Sequence, residues 1–240
     1  MIVDVIPNYA YQTDYPFDGK TAVVIDVLRC TSVIIKALDS GCKEVIPVLE
    51  PDNAFEIAER LGRSNVILGG ERGCNKLPGF DCGNSPLEYT ENVVYGKTVV
   101  ITTSNGTRAI NGSSKAATVL LGANSNSASI AEVILQLNSD VVIVCSGTNR
   151  KISADDLVSS GSIIHALLAA DPGIETTDIA KVALALYESW KIGNFDITAA
   201  LHCQNLIRLG YGEDIEYCMK ENSSTVVPYY HDGTITRYNK

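Results

Sequence analysis

Residues 23–34 read VVIDVLRCTSVI. A β-branched run stops at Asp26, passes Arg29, Thr31 and Ser32, and resumes apolar character at helical spacing. The same cadence returns at 99–110 as VVITTSNGTRAI and at 141–152 as VVIVCSGTNRKI. Each stretch reads as a strand that ends in Ser, Thr, Asn, Gly or Asp with an arginine close by. In open α/β sheets, ligands bind beyond the carboxyl ends of the strands. Three such ends therefore predict one shared polar site. The unequal spacing and different surroundings of the three copies argue against a solenoid repeat.

Working outward, further β-branched runs at 2–6, 44–48, 65–69 and 118–121 predict strands, alongside 21–26, 97–102 and 140–145. Helical spacing is found at 31–40, 51–61, 105–112 and 124–138. From 153 to about 220 the pattern is predominantly helical, with segments at 154–170, 175–190, 196–208 and 212–221. A last strand is predicted near 225–230, followed by a hairpin-like turn at His231-Asp232-Gly233-Thr234. The alternation predicts a three-layer α/β/α fold with a mainly parallel or mixed sheet and a helix-rich C-terminal third. No linker divides the chain, so a single domain over 1–240 is expected, with lobes 1–150 and 151–240 as its only subdivision.

Composition narrows the function. The net charge of −9 argues against nucleic acid or an anionic membrane as a partner. No apolar run approaches the ~20 residues that span a bilayer, and the N-terminus lacks the pattern of a signal peptide, which predicts a cytoplasmic protein. The seven cysteines are scattered without a Cys-x-x-Cys pair, as expected of free thiols and not of a zinc site. The sequence admits a homo-oligomer without specifying one. An anionic ligand would need local arginines, backbone amides or a metal against this negative background.

Those groups are present. Asp26 at a strand end can hold Mg²⁺ or attack phosphorus, and Arg29 can clamp an oxyanion. Thr31 and Ser32 read equally well as helix caps. Ser104, Asn105, Gly106 and Thr107, at a predicted helix start, form a candidate phosphate cradle, with Arg108 facing either ligand or solvent. A Gly-rich stretch from Gly69 to Pro86 reads as one long loop. It offers Glu71 as a metal ligand and Asn84 and Ser85 as donors to an anion. Cys145 and Arg150 suggest a cysteine phosphatase, but that chemistry needs Cys-x₅-Arg and Arg150 arrives one residue early. Cys145 is read as core. Asp155 and Asp156 read as first-turn helix acids, and His165 and His202 as packing residues.

The motifs VIDVLRCTS, GGERG, GFDCGNSP and TTSNGTRA, followed by SADDL, resemble the 2-phosphosulfolactate phosphatase family over most of the chain. Cys30 and Cys82 depart from the small or variable residues expected in these motifs. The resemblance implies a Mg²⁺-dependent phosphoric monoester hydrolase that converts 2-phosphosulfolactate to sulfolactate and phosphate, as in coenzyme M biosynthesis. From their places at the strand end and in the Gly-rich loop, Asp26 is expected as nucleophile or primary metal ligand and Glu71 as a second metal ligand or base, with Arg29 beside them in the catalytic set. Arg29, Asn84, Ser85, Ser104, Asn105, Gly106, Thr107 and Arg108 would divide the phosphate, sulfonate and carboxylate among them. Two alternatives stand beside it: a hydrolase for another phosphorylated hydroxy acid, and a non-enzymatic anion-binding protein.

Overall fold

Strands form where β-branched residues concentrate, and helices where caps and helical spacing permit them. The structure, a computed structural model, describes residues 1–239. The first half builds β1 (Ile2–Ile6), β2 (Thr21–Ile25), α1 (Cys30–Asp39), β3 (Glu44–Pro47) and α2 (Pro51–Leu61). Then come β4 (Val66–Arg72), β5 (Asn75–Lys76), α3 (Glu91–Val94), β6 (Thr98–Thr102) and α4 (Gly106–Gly112). The second half continues with β7 (Thr118–Gly122), α5 (Ser127–Leu137), β8 (Val141–Cys145), α6 (Ala154–Ala170) and β9 (Glu175–Thr176). It ends with α7 (Asp178–Lys191), α8 (Leu201–Arg208), α9 (Gly212–Cys218), β10 (Pro228–His231) and β11 (Thr234–Arg237).

One mixed sheet unites the strands in the order β5-β4-β6-β3-β11-β10-β7-β2-β8-β1-β9. Every residue of β2, β6 and β8 is buried, which is why their sequences run apolar without alternation. Helices α5, α6 and α7 cover one side of the β7-β2-β8-β1 region, while α1 and α4 pack on β7, β2 and β3. The fold is the three-layer α/β type. Helix α2 begins at Pro51 and stops at Gly62, the punctuation expected of a helix.

The C-terminal hairpin departs from the sequence reading. Asp232 and Gly233 both take positive φ, as a type I′ turn requires, and lead into β11, which the sequence did not suggest. The pair inserts into the middle of the sheet. β10 runs antiparallel to β7, and β11 meets β3 antiparallel through one residue pair, Ile235 with Val45. Consequently β3, β6 and β4 run opposite to β7, β2, β8 and β1.

On a flat sheet that polarity would place the carboxyl ends of the two groups at opposite edges. They nonetheless meet. Ser104, past β6, contacts Glu71 at the end of β4, and Gly106 lies against Asp26 past β2. Helices α1 and α4 carry the chain from one half to the other, touch each other and pack on strands of both halves.

The Gly-rich stretch is also more ordered than a loop. β4 continues through Glu71 and Arg72 and turns back antiparallel onto β5, while Cys82 bridges to Gly69. The fully buried Tyr89 anchors the rest, donating its hydroxyl to Gly83 O at 2.7 Å.

Candidate active site

Asp26 follows directly on β2 and is buried. Its backbone carbonyl accepts from Thr31 N at 2.9 Å, and its N–H donates to the Thr31 hydroxyl at 3.2 Å. Thr31 and Ser32 thus close the turn into α1, Ser32 by donating to Val27 O at 2.8 Å. The Asp26 carboxylate accepts only a long hydrogen bond from Cys30 N, at 3.4 Å. Burial pushes its pKa up to about 6; the charge on His202 opposes that rise, Glu71 adds to it, the Cys30 N–H opposes it, and Asp155 adds to it.

Glu71 reaches the same place from β4. One oxygen accepts from Ser104 N at 2.7 Å, the other from Cys74 N at 2.8 Å and the Ser104 hydroxyl at 3.2 Å. These donors orient the carboxylate and take three of its roughly four acceptor sites, leaving one on the first oxygen. Gly106 admits the second wall. A Cβ there would lie 2.5 Å from Asp26 Oδ2 and 2.7 Å from Cys30 Cβ, so α4 can approach Asp26 only with glycine at this position.

Arg29 precedes α1 and is buried. It donates to Asp214 of α9 at 2.6 Å and to Cys74 O at 3.4 Å, and its guanidinium carbon stacks 4.0 Å over the Tyr211 ring. The other Asp214 oxygen accepts from the Ser85 hydroxyl at 2.6 Å. Both Asp214 oxygens are thus engaged, which offsets the cost of burying the charged pair. Asn84, beside Ser85, is buried with its Oδ1 unpartnered.

These groups line a pocket of about 120 Å³. Asp26, Arg29, Glu71, Asn84, Ser104 and Asn105, all named from the sequence, lie on its wall. Ser85 stands behind it on Asp214. Thr107 turns inward, bonding Thr103 through its hydroxyl at 2.9 Å. Arg108 points elsewhere: its guanidinium reaches Glu50 at 3.3 Å, and it lines a separate groove with Tyr9, Gln12 and Arg150.

The wall is completed by residues outside the sequence-based set. Thr148 and Asn149 follow β8, while His202, Asn205 and Leu206 come from α8. His202 Nε2 lies 2.9 Å from Leu28 O. The spacing of 202, 205 and 206 is a helical i, i+3, i+4 face, the one signal that places a half-buried His and Asn beside the buried Leu206. For Asp214 and Tyr211 the sequence carries no comparable signal. Asp156, read as a helix acid, instead accepts from Val27 N at 3.0 Å, Gly147 N at 2.8 Å and Ser146 Oγ at 3.1 Å. It ties the ends of β2 and β8 together. Cys145 hydrogen-bonds Ser160 inside the core, and burial holds its thiol well above the usual range, which leaves it no thiolate character.

A family model described as 2-phosphosulpholactate phosphatase matches residues 7–233. The chain belongs to the 2-phosphosulfolactate phosphatase family. Among relatives of this family, a probable 2-phosphosulfolactate phosphatase of Clostridium beijerinckii is 45% identical over 237 residues, covering 98% of this chain and 99% of that protein. One from Clostridium tetani is 46% identical over 235 residues, with 98% and 100% covered. A third, from Clostridium novyi, is 44% identical over 237 residues, with 99% and 100% covered. This family member has no described helix long and apolar enough to cross a membrane.

The donor set can be tested against a metal. Among the described residues no group of three His, Cys, Asp or Glu is placed to hold one. Mg²⁺, however, is commonly held by one or two carboxylates, with water and substrate phosphate supplying the rest. Asp26 and Glu71, on the wall of one pocket, are hard oxygen donors of this kind. They fit.

Proposed function

We propose that the chain hydrolyses 2-phosphosulfolactate to sulfolactate and phosphate with Mg²⁺ held by Asp26 and Glu71. The observation that carries this reading is the pocket that joins these two buried carboxylates to Arg29 and to the Ser104-Asn105 turn. The family membership and the names of the relatives supply the substrate.

When bound, Mg²⁺ neutralises phosphoryl oxygens and orients the attack on phosphorus. Glu71, fixed by three hydrogen bonds, lines the pocket with one acceptor site of Oε1 still open. Asp26 presents a carboxylate with little hydrogen bonding of its own, available to a cation or to phosphorus. Arg29 uses two of its five N–H groups on Asp214 and Cys74 O, and the others are free for a phosphoryl oxygen. Ser104 and Asn105, at the mouth of α4, face the same space.

Phosphate release from 2-phosphosulfolactate, assayed with Mg²⁺ and with EDTA, tests the reading. Turnover with Mg²⁺, its loss in EDTA and its loss in Asp26→Asn are expected. Equal turnover of phosphorylated hydroxy acids that lack a sulfonate would overturn the substrate assignment. Full activity in EDTA would overturn the metal.

A further inference from the structure

The catalytic pocket is small. Its volume of about 120 Å³ lies well below the roughly 300 Å³ at which pockets begin to enclose whole organic ligands. It accommodates a phosphoryl group and its immediate surroundings. A second cavity of about 500 Å³ adjoins it, sharing Thr148, Asn149, His202 and Asn205 as a common wall.

The two cavities differ in charge. The inner one carries Asp26 and Glu71, with Arg29 already committed to Asp214. The outer one contains no carboxylate, and apart from the shared His202 its only ionisable side chain is Lys151. Among the described residues the Lys151 ammonium has no ion-pair partner. In a chain of net charge −9, a groove lined by a lysine and no acid is set apart from its surroundings.

The lysine is also held in place. Thr148 and Lys151 form an antiparallel bridge, donating to each other's carbonyls at 3.0 and 2.9 Å. Asn149 and Arg150, both at positive φ, make the tight turn between them. Residues paired across such a bridge project their side chains to the same face, and both line the groove. Buried Asn8 fixes the far side by donating to Lys151 O at 2.8 Å, and Gly147 is anchored to Asp156. Arg150, at the turn's tip, lines the separate groove near Arg108.

We propose that the outer groove is a second subsite, which receives the sulfonate end of the substrate while the phosphate occupies the inner pocket. Lys151 is its specificity-determining cation. This rests on the phosphatase reading above, and it divides the recognition of a polyanion in two: oxygen donors and metal for the phosphate, lysine for the sulfonate.

Kinetics of wild type, Lys151→Gln and Lys151→Glu on 2-phosphosulfolactate and 2-phospholactate, which lacks the sulfonate, test it. Lys151→Gln is expected to raise KM for 2-phosphosulfolactate about tenfold, equivalent to about 1.4 kcal/mol, and Lys151→Glu to raise it further. On 2-phospholactate, KM for Lys151→Gln is expected to stay within about twofold of wild type, a span of about 0.4 kcal/mol. A KM unchanged on both substrates, or raised equally on both, overturns the assignment. Calorimetric binding of sulfolactate separates this inference from the phosphatase reading. If wild type releases no phosphate from either ester but binds sulfolactate about tenfold more tightly than Lys151→Gln does, the subsite stands and the activity falls. Equal binding by the two proteins overturns the subsite.

Discussion

Replacing Asp26 with Asn should stabilise the protein while abolishing its chemistry. Asp26 is buried near Glu71 and Asp155, and its pKa rises from 3.8 to about 6. Between these two values the folded protein retains a proton that the unfolded chain releases. Stability is therefore highest below the unfolded value, falls as pH rises through the window and levels off above about 6. At about 1.4 kcal/mol per pK unit, the gap between 3.8 and about 6 amounts to roughly 3 kcal/mol. Asparagine keeps the shape and carries no charge.

In EDTA, Asp26→Asn should match wild type at pH 3 and exceed it by about 3 kcal/mol at pH 8, a rise of roughly 6–12 °C in Tm for a chain of this size. Urea and thermal unfolding at pH 3, 5 and 8 would read this difference. Adding Mg²⁺ at a hundred times its Kd should recover about 2.7 kcal/mol for wild type and leave the variant unmoved. A variant no more stable than wild type at pH 8 would refute the argument, because the charge on Asp26 would then cost the fold nothing.

Other substitutions probe the same frame. Gly106→Ala drives a methyl against Asp26 and Cys30, and should cost about 1–3 kcal/mol in unfolding free energy and most of the phosphatase activity. Asp214→Ala leaves the Arg29 charge buried without its partner. A loss of about 3–5 kcal/mol is expected in chemical denaturation, with Asp214→Asn intermediate. Arg108→Ala removes only an exposed ion pair with Glu50, so stability should stay within about 0.5 kcal/mol and steady-state kcat and KM within about twofold. A large rise in KM would return Arg108 to the substrate.

Much of the site was legible because strand ends and glycine-rich turns carry local signals. Asp26, Glu71, Ser104 and Asn105 stand where a β-branched run gives way to polar residues, Asn84 stands in a glycine-rich turn, and the fold brings all five to one pocket. Arg108 shows the limit of such reading. One helical turn from Ser104, it has two directions open to it, and only the packing of α4 against β2 and β3 turns it toward Glu50. His202 shows the converse, a histidine whose apolar neighbours suggest core packing but whose helix docks it on the Leu28 carbonyl. Arg29 was visible as a cation, whereas its commitment to Asp214, 185 residues away, was not.

By itself the sequence determined the α/β class, the longer helices and all strands but the short β5 and β9 and the last one, β11, since β-branched runs, caps and helical spacing act over a few residues. It also marked the carboxylates and the donor-rich turns. Tertiary structure alone decided that the last hairpin enters the middle of the sheet and reverses its polarity, because strand order depends on pairings between residues far apart in the chain. Tertiary packing also brings the ends of β2, β4, β6 and β8 to one pocket. Among the described residues it leaves Lys151 without an ion-pair partner, beside a cavity that no local pattern could reveal.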